Sequence, residues 1–107
     1  METHELKLSA KYFKDIKERI KTFELRKNDR NFQAGDTLIL KEYYQGDTDY
    51  ENGIYTPPHY TNNQVTREVT YMLEGGKYGL EKGYVILGIE WLIFLNCLLL
   101  KMDVWRS

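Results

Sequence analysis

Strand-like stretches separated by turn signals run through this chain, and a single stretch up to residue 90 carries the spacing of a helix. Glu5-Leu6-Lys7-Leu8 alternates polar with apolar, the period of a half-buried strand. In residues 10–20, Tyr12, Phe13, Ile16 and Ile20 recur at three- and four-residue spacing, which predicts a helix with one apolar face, capped by Ser9. Thr22, Glu24 and Arg26 then alternate with Phe23 and Leu25; on a strand the polar three share one face and the apolar two enter the core. Gly35-Asp36 reads as a turn before a strand from Thr37 to Tyr44. Gln64–Leu73 and Tyr84–Glu90 read as two more strands, with Gly75-Gly76 ending the first of them. Residues 45–63, rich in proline, glycine, asparagine and tyrosine, form a long loop or a twisted hairpin. The expectation is an α+β domain. Its antiparallel sheet closes into a small barrel to remove exposed edges, and one helix plugs or flanks it.

Length limits the rest: 107 residues suit one domain. Residues 1–90 are assigned to that barrel. Residues 91–107 are read as an apolar extension that packs either on the barrel or on another copy, the second alternative giving a homodimer through them. Ten residues, Trp91 to Leu100, cannot span a bilayer, which needs about 20 in a helix. METHELKLSA lacks the basic run and apolar stretch of a secretory signal, and one cysteine, Cys97, makes no internal disulfide. A cytoplasmic location with no membrane partner is expected. His4 and His59 have no partners at ligand spacing, so neither a metal nor a cofactor is expected. Gly75, Gly76 and Gly79 serve turns, because no Lys-Ser or Lys-Thr pair follows as a phosphate loop requires.

The formal net charge of −1 conceals an asymmetry: residues 1–30 carry net +3 and the remainder net −4. Lys11, Lys14, Lys17 and Arg19 read as the solvated side of the helix. The informative stretch is Lys21 to Arg30, KTFELRKNDR, with four cations and two carboxylates beside a helix end. Glu24 and Arg26 stand about 7 Å apart on one strand face, near enough to orient each other. Arginine offers a planar fork for phosphate or a base edge, and Lys21 a point charge. An exposed ion-paired strand with no ligand reads equally well from these residues alone.

HELKL, KTFELRKNDRNFQAGDTLILKEY and VTYMLEGGKYGLEKGYVILGIE together resemble the ASCH superfamily, in particular its small stand-alone branch from bacteria and their phages. The resemblance implies a PUA-like small β-barrel with an N-terminal helix packed against it. It also implies a cleft between helix and barrel lined by a Gly-x-Lys-x-x-Glu-x-Arg motif, whose matching positions are Lys21, Glu24 and Arg26, with Ile20 read at the glycine's place. Asn28, Asp29 and Arg30 would shape that cleft or its rim. The partner implied is RNA or a nucleotide. Some superfamily members hydrolyse an acylated cytidine through a lysine and a threonine. Glu24 stands at that threonine's place and Thr22 is displaced from it. Other members are associated with RNA cleavage, where a lysine and a glutamate could serve as acid and base for 2′-OH attack, so a small hydrolase (a ribonuclease or an acylated-nucleoside amidohydrolase), with Lys21 and Glu24 as its candidate catalytic residues, ranks second. A phage or plasmid accessory protein binding another protein through the apolar tail is the third reading.

Tyrosines supply the remaining signal. Tyr50, Tyr55 and Tyr60 are candidates for stacking on unpaired bases or for packing on the barrel, while alternation should bury one of Tyr43 and Tyr44.

Overall fold

A computed structural model of the protein describes residues 1–91. Strand β1 (Thr3–Ser9) sends His4, Leu6 and Leu8 inward and runs directly into helix α1 (Ala10–Lys17). Ser9 makes that junction possible: its hydroxyl accepts from the Lys11 amide at 3.3 Å, meeting one of the helix's unpaired donors. Phe13 and Ile16 are buried on the sheet. The helix ends a turn earlier than its apolar spacing predicts. Arg19 adopts φ 64°, and the Ile20 and Lys21 amides both fold back onto the Asp15 carbonyl, so Ile20 lies in the exit turn and is exposed.

Strands β2 (Phe23–Lys27), β3 (Thr37–Tyr44), β6 (His59–Glu74) and β7 (Tyr84–Glu90) join β1 in a strongly curled five-stranded sheet, ordered β1-β3-β6-β7-β2. Residues 45–58 carry the short hairpin β4 (Asp47–Asp49) and β5 (Ile54–Thr56). The small-barrel expectation is met by this half-barrel, with one short N-terminal helix among the described residues. One pairing departs from the all-antiparallel expectation: β1 lies parallel to β3. Parallel neighbours need a crossover of a dozen residues or more, and α1 with β2 supplies it. Leu6, Leu8, Phe13, Ile16, Phe32, Leu38, Leu40, Val69, Val85, Leu87 and Ile89 form the core.

Strand β2 is the main inversion of the sequence reading. Residues paired across a sheet face the same side, and Glu24 and Arg26 pair with the buried Val85 and Leu87 in the order Glu24–Leu87, Arg26–Val85. The polar residues therefore point inward, while Phe23 and Leu25 face out and are 48% and 53% exposed. The tyrosine expectation is corrected as well, since Tyr43 and Tyr44 are both half-buried and each meets a ring on β6. Expectations for the apolar tail beyond Trp91, including self-association, lie outside the described residues.

Two buried charges fix the junctions. Arg67 donates to the Ile16 carbonyl at 3.2 Å and to its neighbour Thr66, placing a cation at the carbonyl-rich end of α1. Burial, followed by the nearby Arg19 charge, lowers the Arg67 pKa. Asp36 accepts from the Glu2 amide at 3.0 Å, His4 Nε2 at 2.9 Å and the Gln33 amide at 3.0 Å. Burial alone would raise the Asp36 pKa, but these donors outweigh it and hold the carboxyl below its ordinary value.

A carboxyl depressed in the folded state contributes stability that is present above its unfolded pKa and lost as pH falls through the folded one. Chemical denaturation of wild type should therefore show stability falling below about pH 4. Asp36→Asn should be about 1–3 kcal/mol less stable at neutral pH and show a shallower loss on acidification.

Candidate nucleic-acid interface

Among the described residues the half-barrel leaves β1 and β2 as its two edges, and no strand pairing joins them. Arginine side chains cross the gap instead. Arg26 Nη2 donates to the Lys7 carbonyl at 2.6 Å, and Arg30 Nη1 to the Glu5 carbonyl at 3.0 Å. Carbonyls two residues apart on a strand point to one side, so both arginines meet edge acceptors that would otherwise face water or another strand. The seam is thus closed by guanidinium groups.

Glu24 organises this closure. Its side chain is only 4% exposed, and each oxygen takes one cation: Oε1 from Lys21 Nζ at 2.9 Å, Oε2 from Arg26 Nε at 2.8 Å. A lone buried carboxylate would be costly, and two charge-assisted bonds compensate it. The exit turn of α1 delivers Lys21 to this point, and the inward pleat of β2 delivers Glu24 and Arg26.

Beside the triad opens a cleft of about 530 Å³ lined by Lys7, Leu8 and Ser9 of β1, Tyr12 of α1, and Lys21 with Phe23 to Arg26. Lys21 Nζ lies 4.4 Å from the centre of the Tyr12 ring and 5.2 Å from that of Phe23. Lys7 Nζ lies 4.2 Å from the Tyr43 ring. Such contacts hold ammonium groups over apolar faces and leave their other donors to solvent. Arg26 uses Nε and Nη2 inward, and among the described residues no hydrogen bond engages its Nη1. The lining includes three cations against one carboxylate, with the partly exposed Tyr12 and Phe23 rings beside Lys21.

The remaining expected site residues divide. Arg30 joins the seam. Asn28 works structurally, its side-chain oxygen accepting from the Phe32 amide at 3.1 Å and its own amide donating to the Gly83 carbonyl. Asp29 is exposed beyond the end of β2. Tyr50 and Tyr55 stand on the β4–β5 hairpin, exposed and away from the cleft lining, and Tyr60 packs edge-on against Tyr43 at 4.9 Å between ring centres. Lys7, Ser9 and Tyr12 line the cleft without having been expected there. Lys7 reads as the solvated face of β1 and Tyr12 as helix core; the signal available was their position on either side of the strand-to-helix junction. His4 is structural, bound to Asp36 and edge-on to Phe32. Among the described residues no cluster of three or more His, Cys, Asp or Glu side chains forms a metal site, and no helix is long and apolar enough to cross a membrane.

Comparison with known proteins supplies the family. Residues 3–89 match the family described as Domain of unknown function (DUF3850), a span that includes every described strand except the last residue of β7. The chain belongs to this family. The DUF3850 chain is also 58% identical over 43 residues to an uncharacterised 12.9 kDa protein in the GpA 3′ region of Escherichia phage P2, a match covering 40% of this chain and 39% of the phage protein. The expected phage kinship thus has a counterpart, and the ASCH resemblance has none in these matches.

Removing the carboxylate should cost more than removing the aromatic ring beside it. We expect Glu24→Ala to lower unfolding free energy in urea by about 1–3 kcal/mol, since Lys21 and Arg26 lose their counter-charge at the seam. Phe23→Ser, half-exposed, should cost about 1 kcal/mol or less. The opposite ranking would mean that β2 faces the other way.

Proposed function

We propose that the protein binds RNA, or a nucleotide, in the seam cleft. One observation carries the reading: Lys7, Lys21 and Arg26 converge on a cleft that also exposes the Tyr12 and Phe23 rings, with a buried carboxylate fixing two of the cations. Phosphate needs positive donors held in place, and unpaired bases need flat apolar faces; the cleft combines the two. Lys7 and Lys21 would take phosphate oxygens, and Arg26 Nη1 a phosphate or base edge. Glu24 acts through its neighbours, holding both cations at the cleft wall.

The ASCH resemblance supports the same assignment and gains one detail. Counted by the motif's spacing, the glycine falls at Arg19 and not at Ile20, where the sequence reading put it. Arg19 adopts the left-handed φ of 64° that glycine takes most readily, so the exit turn keeps the geometry while the residue differs.

The hydrolase reading stands second, favoured by the 2.9 Å Lys21–Glu24 contact between an amine and a carboxylate. Against it, Glu24 is already committed to Arg26, and Thr22 is not among the residues lining the cleft. The Ser9 hydroxyl, which does line it, is the helix cap.

Titration of a labelled unstructured RNA at two salt concentrations tests the proposal. Binding should weaken with salt, log affinity falling by about 0.7 per phosphate contacted for each unit of log salt concentration. Lys7→Gln and Lys21→Gln should each weaken binding several-fold and lower the slope, while leaving the Arg26–Glu24 pair in place. Absence of binding would sink the reading. RNA shortened in a Lys21-dependent manner would promote the hydrolase.

A further inference from the structure

A second polar cavity, of about 510 Å³, lies on the outer face of the sheet where β1, β3 and β6 run side by side, and Lys7 lines it as well as the seam cleft. From this sharing we propose that the ligand is an RNA strand of two or more nucleotides and not a free nucleotide, the second base seated in this outer cavity; the inference rests on the proposed RNA reading and extends it.

The cavity is shaped by a bulge. Lys41 pairs with Gln64 and Tyr43 with Tyr60, so Thr61, Asn62 and Asn63 together stand opposite Glu42 alone. Extra residues on one strand bend it and redirect side chains, and Asn62 takes φ 72°, which asparagine tolerates better than most residues. Glu42 Oε1 pins the bulge by accepting from the Thr61 hydroxyl at 2.6 Å and Asn63 Nδ2 at 3.1 Å. The lining holds the Glu5 and Glu42 carboxylates, side-chain amides at Asn62, Asn63 and Gln64, and Tyr60.

Those groups suit a base better than a phosphate. Amides and carboxylates match the donors and acceptors of a base edge, and Tyr60, about half exposed, offers a face for stacking. The local charges agree: Lys41 is paired with Glu5 at 3.1 Å, and Lys7 is the cation that lines both cavities. A backbone phosphate on Lys7 would join a nucleotide in the seam cleft to one in the outer cavity.

The full chain should be titrated with uridine monophosphate, with a uridine dinucleotide and with a hexanucleotide, using wild type and the double variant Tyr60→Ala/Gln64→Ala. Both residues lie on the exposed face, and thermal melting checks that the variant is folded. Wild type should bind the oligonucleotides at least about tenfold more tightly than the monophosphate, and the double variant should lose most of that gain while its monophosphate affinity stays within about twofold. Equal affinity of wild type for monophosphate and hexanucleotide would overturn the inference and leave the seam cleft standing. A gain unchanged in the folded double variant would also overturn it. If wild type binds none of the three ligands, the RNA reading itself fails, and this inference with it.

Discussion

Glu24 is a carboxylate buried at the open side of a half-barrel, and two cations must stay beside it for the chain to fold as it does. That requirement sets the direction in which β2 faces. Turning the strand over would bury Phe23 and Leu25, a gain in apolar burial, but would release Lys21 and Arg26 from their partner and withdraw Arg26 from the Lys7 carbonyl. The sheet then would have two uncovered edges facing each other. Buried ion pairs are not strong stabilisers compared with well-packed apolar groups, so the arrangement is better understood as specifying register and orientation.

Closing a seam with side chains instead of strand pairing has a geometric consequence. Backbone hydrogen bonds would bring β1 and β2 to about 5 Å and leave no room for a cleft. Guanidinium groups span a wider gap, leave donors over, and bring positive charge to the place where the barrel is open. The proposed site is therefore where the sheet is left open among the described residues. Elsewhere buried charge ties elements of the fold together. Asp36 ties the start of β1 to the turn before β3, and Arg67 meets the carbonyl end of α1. Neither residue lines the cleft.

Much of this was legible in the sequence where local pattern and burial agree. Alternation in Glu5–Leu8, the Phe13–Ile16 spacing and the Ser9 cap lead to β1 and α1 as they stand. The Lys-x-x-Glu-x-Arg cluster stood out because three chemically active residues fall at a spacing that a turn and a strand bring together. The facing of β2 was not legible, since alternation gives two faces and apolar content alone decides wrongly between them. Long-range register decides instead, through the pairing of Glu24 with Leu87. Lys7 and Tyr12 were not legible for the same reason: their place on the cleft lining depends on which edges of a curled sheet meet. Arg67 gave no local signal, because its partner is a helix carbonyl 51 residues away. The bulge at Thr61–Asn63 lay in a stretch whose irregular composition hid the start of β6.

Arginine side-chain NMR during titration with an unstructured RNA asks whether one guanidinium both holds the seam and faces the ligand. The Arg26 Nε–H signal should stay slowly exchanging and nearly unshifted, still bound to Glu24, while its Nη signals and the amides of Lys7, Tyr12, Lys21 and Phe23 move with RNA. Saturating RNA that leaves these signals in place, or shifts only the hairpin around Tyr50 and Tyr55, would refute that dual role.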